Sequence, residues 1–264
     1  MVRPLRFGDG QGLAKANQTA QSAVIKGIRQ MTADEQASDF GSGSRGGSRG
    51  GLTWKDDVVP VSDRFDDPYF SMHDGLAETN HVFLSGNGLP ARLQPGFHVA
   101  ELGFGTGLNL LAMLLACPPD IAIRYTSFEA YPLGASDMAR ALAAFPQALA
   151  VGGPLLAACA QGLTRFDLGQ IQVELILGDA RTTLPMWNAR ADAWFLDGFS
   201  PAKNPELWSP DVLAEVARHT APGGTFATYT AAGHVRRALD QAGFDVIRSA
   251  GHGRKRHMTT GGLR

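Results

Sequence analysis

Strand-like and helix-like segments alternate through most of the sequence, and this alternation constrains the fold more than any other feature. Strand patterns at 97–102, 121–129 and 171–177 are separated by apolar helical patterns, of which 108–116 is the clearest. Parallel strands need such crossovers, because a tight turn cannot connect two strands that run in the same direction. The sequence therefore predicts an α/β fold with a doubly wound, mostly parallel sheet and helices on both faces.

The alternation continues towards the C-terminus. The remaining predicted elements are strands at 193–197, 225–230 and 244–248 and helices at 134–160, 205–219 and 233–242. The run Gly152-Gly153-Pro154 is expected to interrupt the helix at 134–160, because glycine and proline are the weakest helix formers. The Thr- and Gly-rich tail at 259–264 predicts a poor final strand and an incomplete last position in the sheet.

The first 51 residues differ from the rest in composition. The stretch from Gly41 to Gly51 contains only glycine, serine and arginine, and such a segment has little apolar surface to bury. Residues 1–51 are therefore predicted to be a disordered extension. Residues 52–264 are predicted to be one domain, in which 52–96 form a small N-terminal cap ahead of the parallel sheet.

Composition argues against several classes of protein. The formal net charge is −1, so no global basic character indicates a nucleic-acid binder, and any RNA contact must come from a local patch. The two cysteines, Cys117 and Cys159, have no spacing typical of a disulfide framework or a metal site. No apolar run reaches the roughly 18 residues of a spanning helix. We expect a cytoplasmic protein without a membrane or metal partner.

A glycine-rich loop follows the first strand of the predicted parallel sheet. It reads Glu101-Leu-Gly-Phe-Gly-Thr-Gly107, and glycines at a strand end let the backbone approach a ligand closely. A dinucleotide fingerprint would need glycine at the position of Leu108, and the Glu101 carboxylate would repel a pyrophosphate. S-adenosylmethionine (SAM) carries an ammonium group and no phosphate, so the loop favours SAM over a nicotinamide cofactor.

An acidic residue follows each of the next three predicted strands. Glu129 can accept hydrogen bonds from a ribose diol. Asp179 can either hold an adenine amino group or cap the following helix. Asp197 opens the run Asp197-Gly-Phe-Ser-Pro-Ala-Lys-Asn-Pro205, whose glycine and two prolines predict a rigid loop. A carboxylate at this strand end could bind a protonated amine and take its proton.

Four stretches of the sequence together match one known family. They are Val61–Ser71, Glu101–Asn109, Asp192–Pro205 and Gly253–Arg256. With them, the chain resembles the methyltransferase (MnmD-like) part of the tRNA 5-methylaminomethyl-2-thiouridine biosynthesis enzymes, from about residue 53 to 258. The resemblance implies a Rossmann-like class I SAM methyltransferase. It also implies N-methylation of 5-aminomethyl-(2-thio)uridine at the tRNA wobble position.

The resemblance implies roles for individual residues. Asp197 is expected at the acceptor amine, Glu129 on the ribose and Asp179 near the adenine. The other residues expected to bind the cofactor are Glu101, Gly103, Phe104, Gly105, Gly107 and Asn109. The residues expected to contact the RNA, as an aromatic wall for a flipped base or as cations for phosphates, are Phe199, Lys203, Arg254, Lys255 and Arg256.

Two-domain members of this family carry a flavin-dependent oxidase after the methyltransferase part. This chain ends at Arg264 without a second dinucleotide fingerprint, so we expect a stand-alone or truncated methyltransferase that works after a separate oxidase. One departure from the family lies at His252 and His257, where phenylalanine and glutamate are usual. Any ion pair of that glutamate is therefore in doubt here.

Two other functions fit part of the sequence. A SAM-dependent methyltransferase acting on another amine, small or protein-borne, would keep the glycine loop and the acids but would not need the basic residues 254–256. A non-catalytic SAM- or RNA-binding protein is the second alternative. The intact loop at Asp197 argues against it, because a protein without catalysis has no need for that acid.

Overall fold

The computed structural model describes residues 51–71, 74–253 and 255–264. The predicted extension, apart from Gly51, and Arg254 lie outside the described residues. The strands are β1 (Leu52–Lys55), β2 (Val59–Ser62), β3 (Asp67–Pro68), β4 (His98–Leu102), β5 (Ile123–Glu129), β6 (Arg165–Leu168), β7 (Ile171–Leu177), β8 (Ala191–Leu196), β9 (Thr220–Thr228), β10 (Phe244–Ala250) and β11 (His257–Leu263). The α-helices are α1 (Gly75–Thr79), α2 (Leu108–Ala116), α3 (Ala135–Leu142), α4 (Pro146–Ala160), α5 (Ala180–Thr183), α6 (Pro210–Arg218) and α7 (Gly233–Gln241).

The main sheet has eight strands in the order β10-β11-β9-β8-β4-β5-β7-β6. Its five central strands, from β9 to β7, run parallel, while β6, β10 and β11 are antiparallel to their neighbours. The chain moves outward from β4 through β5 to β7 and then returns to β8 on the other side. This reversal opens a crevice at the carboxyl ends of β4 and β8, where open α/β sheets bind ligands. The predicted doubly wound, mostly parallel sheet is confirmed.

The core lies around the central strands. All five residues of β4 are buried, as expected for a strand covered by helices on both faces. The largest side chains with less than 2% exposure include Trp194 and Phe195 on β8, Tyr125 on β5 and Phe226 on β9. Because these strands are rigid and buried, the loops that follow them are held at fixed positions along one edge of the sheet.

Helix α4 contradicts the predicted interruption at residues 152–154. The helix runs without a break from Pro146 to Ala160, and the gap lies earlier, between α3 and α4. Pro146 suits the first turn of a helix, where its missing N–H is not needed. Gly152 faces α2, and a Cβ atom there would lie 3.4 Å from the Leu111 side chain. Tertiary packing of this face therefore outweighs the weak helix propensity of Gly152 and Pro154.

Strand β11 contradicts the prediction of an incomplete C-terminal sheet position. It pairs along its whole length with β10 and over four residues with β9. Gly261 makes this close packing possible, since a Cβ atom there would lie 2.5 Å from both the Phe226 ring and the Asp245 carbonyl oxygen. The glycine that weakens the strand pattern in the sequence is thus required by a close backbone approach.

The segment before β4 forms a small structure of its own at the carboxyl edge of the main sheet. Strands β1, β2 and β3 make a three-stranded antiparallel sheet. Helix α1 continues into a π-helical turn at Asn80–Leu84 and a 3₁₀ turn at Ser85–Asn87. Val82, Phe83 and Leu84 are buried. We call residues 52–96 the cap, and their assignment as an accessory part of one domain at 52–264 stays a prediction.

Candidate active site

A cavity of about 810 Å³ lies at the carboxyl ends of the parallel strands. Its walls come from the loop after β4, the ends of β5 and β7, the loop after β8, the cap and the turn between β10 and β11. The predicted site residues that line it are Gly103, Phe104, Gly105, Asn109, Glu129, Asp179, Asp197, Phe199, Lys203 and Lys255. Three other predicted site residues that the structure describes, Glu101, Gly107 and Arg256, do not line it. The cavity therefore brings the predicted cofactor residues together with those predicted for the acceptor.

The glycines of the loop after β4 adopt a left-handed backbone conformation. The φ angles of Gly103, Gly105 and Gly107 are +86°, +54° and +76°, values that residues with a Cβ atom rarely adopt. A Cβ atom on Gly103 would lie 3.1 Å from the Gly198 Cα atom. This glycine therefore lets the loop after β8 lie directly against the loop after β4. Gly107 immediately precedes α2.

Asn109, in the first turn of α2, joins the buried carboxyl group of Glu101 to the partly buried carboxyl group of Asp197. Its Nδ2 atom donates to Glu101 Oε1 and to Asp197 Oδ2, each at 2.8 Å. Its Oδ1 atom accepts from the Thr79 hydroxyl of the cap at 2.9 Å. Ser127 donates to the second oxygen of Glu101 at 2.7 Å. One amide thus connects the strand end below the glycine loop, the acceptor loop and the cap.

The environment of these two carboxyl groups changes their acidity. Burial raises the pKa of Glu101 to about 8, although hydrogen bonds from Ser127 and Asn109 oppose the shift. Burial also raises the pKa of Asp197 to about 6, against hydrogen bonds from the Gly198 N–H and Asn109. A carboxyl group with a pKa near neutrality is suited to exchanging a proton with a substrate. Asp197 has this property and, unlike Glu101, lines the cavity.

Glu129 lies at the end of β5 with both carboxylate oxygens bound to backbone. Oε2 accepts from the Gly105 N–H at 3.0 Å, and Oε1 accepts from the Tyr131 N–H at 2.7 Å. Burial raises its pKa, and these backbone donors oppose the shift. Since each carboxylate oxygen has two lone pairs, each can still accept a hydroxyl of a ribose diol. The backbone bonds fix the direction in which those lone pairs face.

Asp179 caps a helix, which is one of the two roles predicted for it. Its Oδ1 atom accepts from the Arg181 N–H at 2.9 Å, at the start of α5. The Arg181 guanidinium also lies 2.6 Å from Oδ2 and lowers the pKa of Asp179. The residue lines the cavity as well. Its contact with an adenine stays a prediction.

The loop that follows Asp197 is held by the cap and by the core. Asp67 of β3 accepts from the Ser200 N–H at 2.7 Å, and Lys203 forms an ion pair with Asp66. From the core side, Tyr229 donates to the Gly198 carbonyl oxygen at 2.8 Å. Lys203, predicted to contact RNA, therefore already has an acidic partner in the cap.

Phe199 forms an aromatic wall with residues of the cap. Its ring stacks on Phe65 with centroids 4.7 Å apart and meets Tyr69 edge-on at 5.0 Å. Arg64 lies over the Tyr131 ring at 4.7 Å. All five side chains line the cavity. The sequence singled out Phe199, and Phe65 lies within the matched stretch Val61–Ser71.

Lys255 lies inside the site. Its Nζ atom is 2.7 Å from Glu78 Oε1 of the cap and 4.2 Å from the centre of the Tyr229 ring. Its charge lowers the pKa of Asp197, and that of Glu78 raises it. The sequence predicted Lys255 as a phosphate contact together with Arg256, which is exposed. Glu78 and Tyr229 were missed, because nothing local in the sequence marks them.

Two comparisons relate the sequence to known proteins. A family model described as S-adenosyl-L-methionine-dependent methyltransferase matches residues 154–264. Two proteins named tRNA 5-methylaminomethyl-2-thiouridine biosynthesis bifunctional protein MnmC, from Pseudomonas paraeruginosa and Pseudomonas aeruginosa, are each 45% identical over 224 residues. The chain is a SAM-dependent methyltransferase that is similar to part of the MnmC proteins. The matches cover 80% of this chain and 34% of each relative, so the methyltransferase spans about a third of the length of these relatives.

A solved structure shows the same fold. The crystal structure of MNMC2 from Aquifex aeolicus matches with a TM-score of 0.66 at 21% identity, over 94% of this methyltransferase and 84% of that chain. The class I arrangement predicted from the sequence is therefore confirmed.

The cofactor of the methyltransferase is SAM, and the residues of the cavity fit it. Gly103 and Gly105 line the cavity without a side chain, and Gly105 lies beside Glu129, whose lone pairs suit a diol. The volume of about 810 Å³ lies within the range of roughly 300–1,000 Å³ that is typical of small-molecule sites. Over the part of the chain that the structure describes, no group of three or more His, Cys, Asp or Glu residues is arranged to hold a metal ion. Within the same ranges, no helix is long and apolar enough to cross a membrane.

Proposed function

We propose that the chain transfers a methyl group from SAM to the primary amine of 5-aminomethyl-(2-thio)uridine at the tRNA wobble position, giving 5-methylaminomethyl-(2-thio)uridine. The observation that carries this proposal is the Asp197 carboxyl group, which lies in the same cavity as the glycine loop and has a pKa of about 6. The names of the relatives, which refer to the biosynthesis of this tRNA nucleoside, support the choice of substrate.

The reaction requires a residue that removes one proton from the acceptor amine. A primary alkylamine is mostly protonated at neutral pH, and only the free base has a lone pair for attack. SAM, when bound, supplies an electrophilic methyl group whose carbon–sulfur bond breaks as the carbon–nitrogen bond forms. Asp197 binds the incoming ammonium as a carboxylate, takes one proton from it and keeps the free amine oriented. Asn109 and the Gly198 N–H hold the two Asp197 oxygens in place.

Different residues bind the methionine, ribose and adenine parts of SAM. Glu101 and the loop of Gly103, Phe104, Gly105, Gly107 and Asn109 hold the methionine end. Glu129 binds the ribose diol, and Asp179 lies near the adenine. This assignment follows the strand ends in their order along the sheet edge.

The RNA is bound at the mouth of the cavity. Phe199, with Phe65 and Tyr69, offers a wall on which a flipped-out uracil stacks. Arg254 and Arg256 contact phosphates, so the affinity falls as the salt concentration rises. Lys203, which forms an ion pair with Asp66, also contributes to RNA binding. A separate flavin-dependent oxidase, acting earlier, produces the aminomethyl group, and the reaction takes place in the cytoplasm.

The test is methyl transfer from labelled SAM to unfractionated tRNA from a strain that lacks this activity, followed by nucleoside analysis. The proposal expects label in 5-methylaminomethyl-2-thiouridine or its oxygen analogue, and none when the tRNA comes from a strain that has the activity. Intact SAM binding without label in tRNA would instead indicate another amine as the acceptor. A protein that binds SAM and RNA but methylates neither RNA nor any amine would be a binding protein.

A further inference from the structure

We propose that Lys255 is a positioning residue of the acceptor site, which keeps the Asp197 carboxylate charged and available for the acceptor amine. This inference rests on the proposed function and adds to it a residue whose role differs from the phosphate contact that its basic neighbours suggest. Lys255 lines the same cavity as Asp197.

The position of Lys255 is fixed by two partners that belong to distant parts of the chain. Its Nζ atom lies 2.7 Å from Glu78 Oε1 on α1. The same atom lies 4.2 Å above the Tyr229 ring, an arrangement in which the aromatic face attracts the ammonium group. Tyr229 in turn donates to the carbonyl oxygen of Gly198, next to Asp197. The ammonium group therefore lies against a tyrosine whose hydroxyl binds the loop that carries Asp197.

Titratable groups face Asp197 from every element packed against it. They are Glu101 on β4, Glu78 on α1, Tyr125 on β5, Tyr229 after β9 and Lys255 between β10 and β11. Burial and the nearby carboxyl groups raise the pKa of both tyrosines, which therefore stay neutral. Glu101, whose pKa is about 8, stays protonated where Asp197 titrates, so the charges that act on Asp197 are those of Glu78 and Lys255.

The sign of the Lys255 effect follows from this arrangement. Burial and the Glu78 carboxylate disfavour the charged form of Asp197. The Lys255 ammonium group opposes both and favours the ionised form of Asp197. Because only the carboxylate can bind the acceptor ammonium and take its proton, the loss of Lys255 would move the active form of the site to higher pH.

The surroundings of Lys255 argue against a role as an RNA phosphate contact. Its ammonium group is bound to Glu78, and its side chain is 45% exposed. Arg256, the next residue in the same turn, is also exposed but is absent from the described residues that line the cavity. The two cations therefore serve different purposes, and Arg256 provides a matched control.

The experiment compares Lys255→Met, Lys255→Arg and Arg256→Met with the unchanged protein. Single-turnover methyl transfer to tRNA carrying the aminomethyl nucleoside is measured from pH 5 to 9, with saturating SAM. We expect Lys255→Met to move the acid limb of the rate profile up by about one pH unit. Lys255→Arg, which keeps the charge, restores the original limb. Arg256→Met leaves the limb in place and weakens tRNA binding, with a shallower salt dependence.

A second readout does not depend on activity. The Asp197 carboxyl carbon is titrated by NMR in the SAM-free proteins, assigned with Asp197→Asn. Lys255→Met should raise its pKa, and Glu78→Gln should lower it, so the two variants test opposite signs. Thermal unfolding and SAM binding verify that each variant is folded.

Two results would overturn the inference. The first is an unchanged Asp197 titration in Lys255→Met. The second is an unchanged pH profile combined with weakened tRNA binding, which would make Lys255 a phosphate contact like Arg256. If the unchanged protein methylates no tRNA, the proposed function fails, and the NMR titration still decides whether Lys255 controls Asp197.

Discussion

The two halves of the cavity are built in different ways. The cofactor half consists of Glu101, the glycine loop and Glu129, which follow two adjacent parallel strands and hold one another through short backbone contacts. The acceptor half combines the Asp197 loop, the cap and the turn that carries Lys255, and its contacts join residues that are far apart in the sequence. The first half therefore follows from strand order, whereas the second depends on the completed tertiary fold.

Asn109 is the point at which the two halves meet. Its amide donates to Glu101 below the cofactor loop and to Asp197 at the acceptor side. Thr79 of the cap donates to the amide oxygen, which fixes the direction of the amide group. The comparison therefore predicts that substitutions within one half affect one function, and that substitutions at the junction affect both.

Glu101→Gln should give the largest effect within the cofactor half. In the unchanged folded protein, the pKa of Glu101 is about 8, above the usual value of about 4.3 for glutamate. Between these two pH values, the folded protein therefore binds a proton that the unfolded chain has released. Its free energy of unfolding therefore falls as the pH rises through this window, and the substitution removes that loss. We expect Glu101→Gln to be more stable than the unchanged protein at pH 8, by a few kcal/mol, on the order of 1.4 kcal/mol per pKa unit. The measurement is urea unfolding at pH 5 and pH 8.

The same variant should bind SAM about tenfold more weakly or worse, since a hydrogen bond to a charged group contributes roughly 1.5–3 kcal/mol. Isothermal titration calorimetry measures this change. An unchanged affinity would show that Glu101 supports the site only through Asn109. A stability that does not depend on the substitution at pH 8 would contradict the raised pKa.

Gly103→Ala should affect both halves. The residue has a φ angle of +86°, and an added Cβ atom would lie 3.1–3.2 Å from backbone atoms of Asp197 and Gly198. We expect a loss of about 1–3 kcal/mol in unfolding free energy, with weaker SAM binding and slower methyl transfer. Gly153→Ala is the control, because it lies in α4 with nothing within 4 Å of its added Cβ atom. Equal effects of the two substitutions would contradict the close contact between the two loops.

Asp67→Ala should give the smallest effect and confine it to the acceptor half. The substitution removes the hydrogen bond from the Ser200 N–H to the Asp67 carboxylate. A hydrogen bond to a charged group contributes about 1.5–3 kcal/mol to stability, and the loss is smaller where water replaces the lost acceptor. We expect the KM for tRNA to rise about fivefold, by roughly 1 kcal/mol, with the Kd for SAM unchanged. Steady-state kinetics and calorimetry measure the two constants. A parallel loss of SAM affinity would indicate that the halves are not separate.

The positions of the strand-end residues could be predicted because their signals are local. The glycine loop, Glu129 and Asp197 each follow a strand, and parallel strands bring their carboxyl ends to one edge. The positions of Lys255 and Glu78 could not be predicted, since their contact depends on how the β10–β11 turn lies against the cap. Asp66, Asp67 and Phe65 stood in a stretch that the sequence matched to the family, but nothing local indicated that they hold the Asp197 loop.

The same distinction explains the errors in the fold. Glycines at 152, 153 and 261 weaken a helix or a strand when read alone, and each prediction based on them was wrong. Gly152 faces Leu111 and Gly261 faces Phe226, so both belong to tightly packed surfaces that only the folded chain reveals. Local propensity therefore failed where packing between distant segments decides the conformation.

The central claim is that Asp197 acts on the acceptor amine and not on the cofactor. Asp197→Asn keeps the size of the side chain and removes its ability to take a proton, and the measurement pairs single-turnover methyl transfer with SAM binding on the same preparation. The account predicts that methyl transfer to tRNA falls by about 10³-fold while the Kd for SAM is unchanged. A loss of SAM affinity that accounts for the lost rate would place Asp197 in the cofactor half and contradict it.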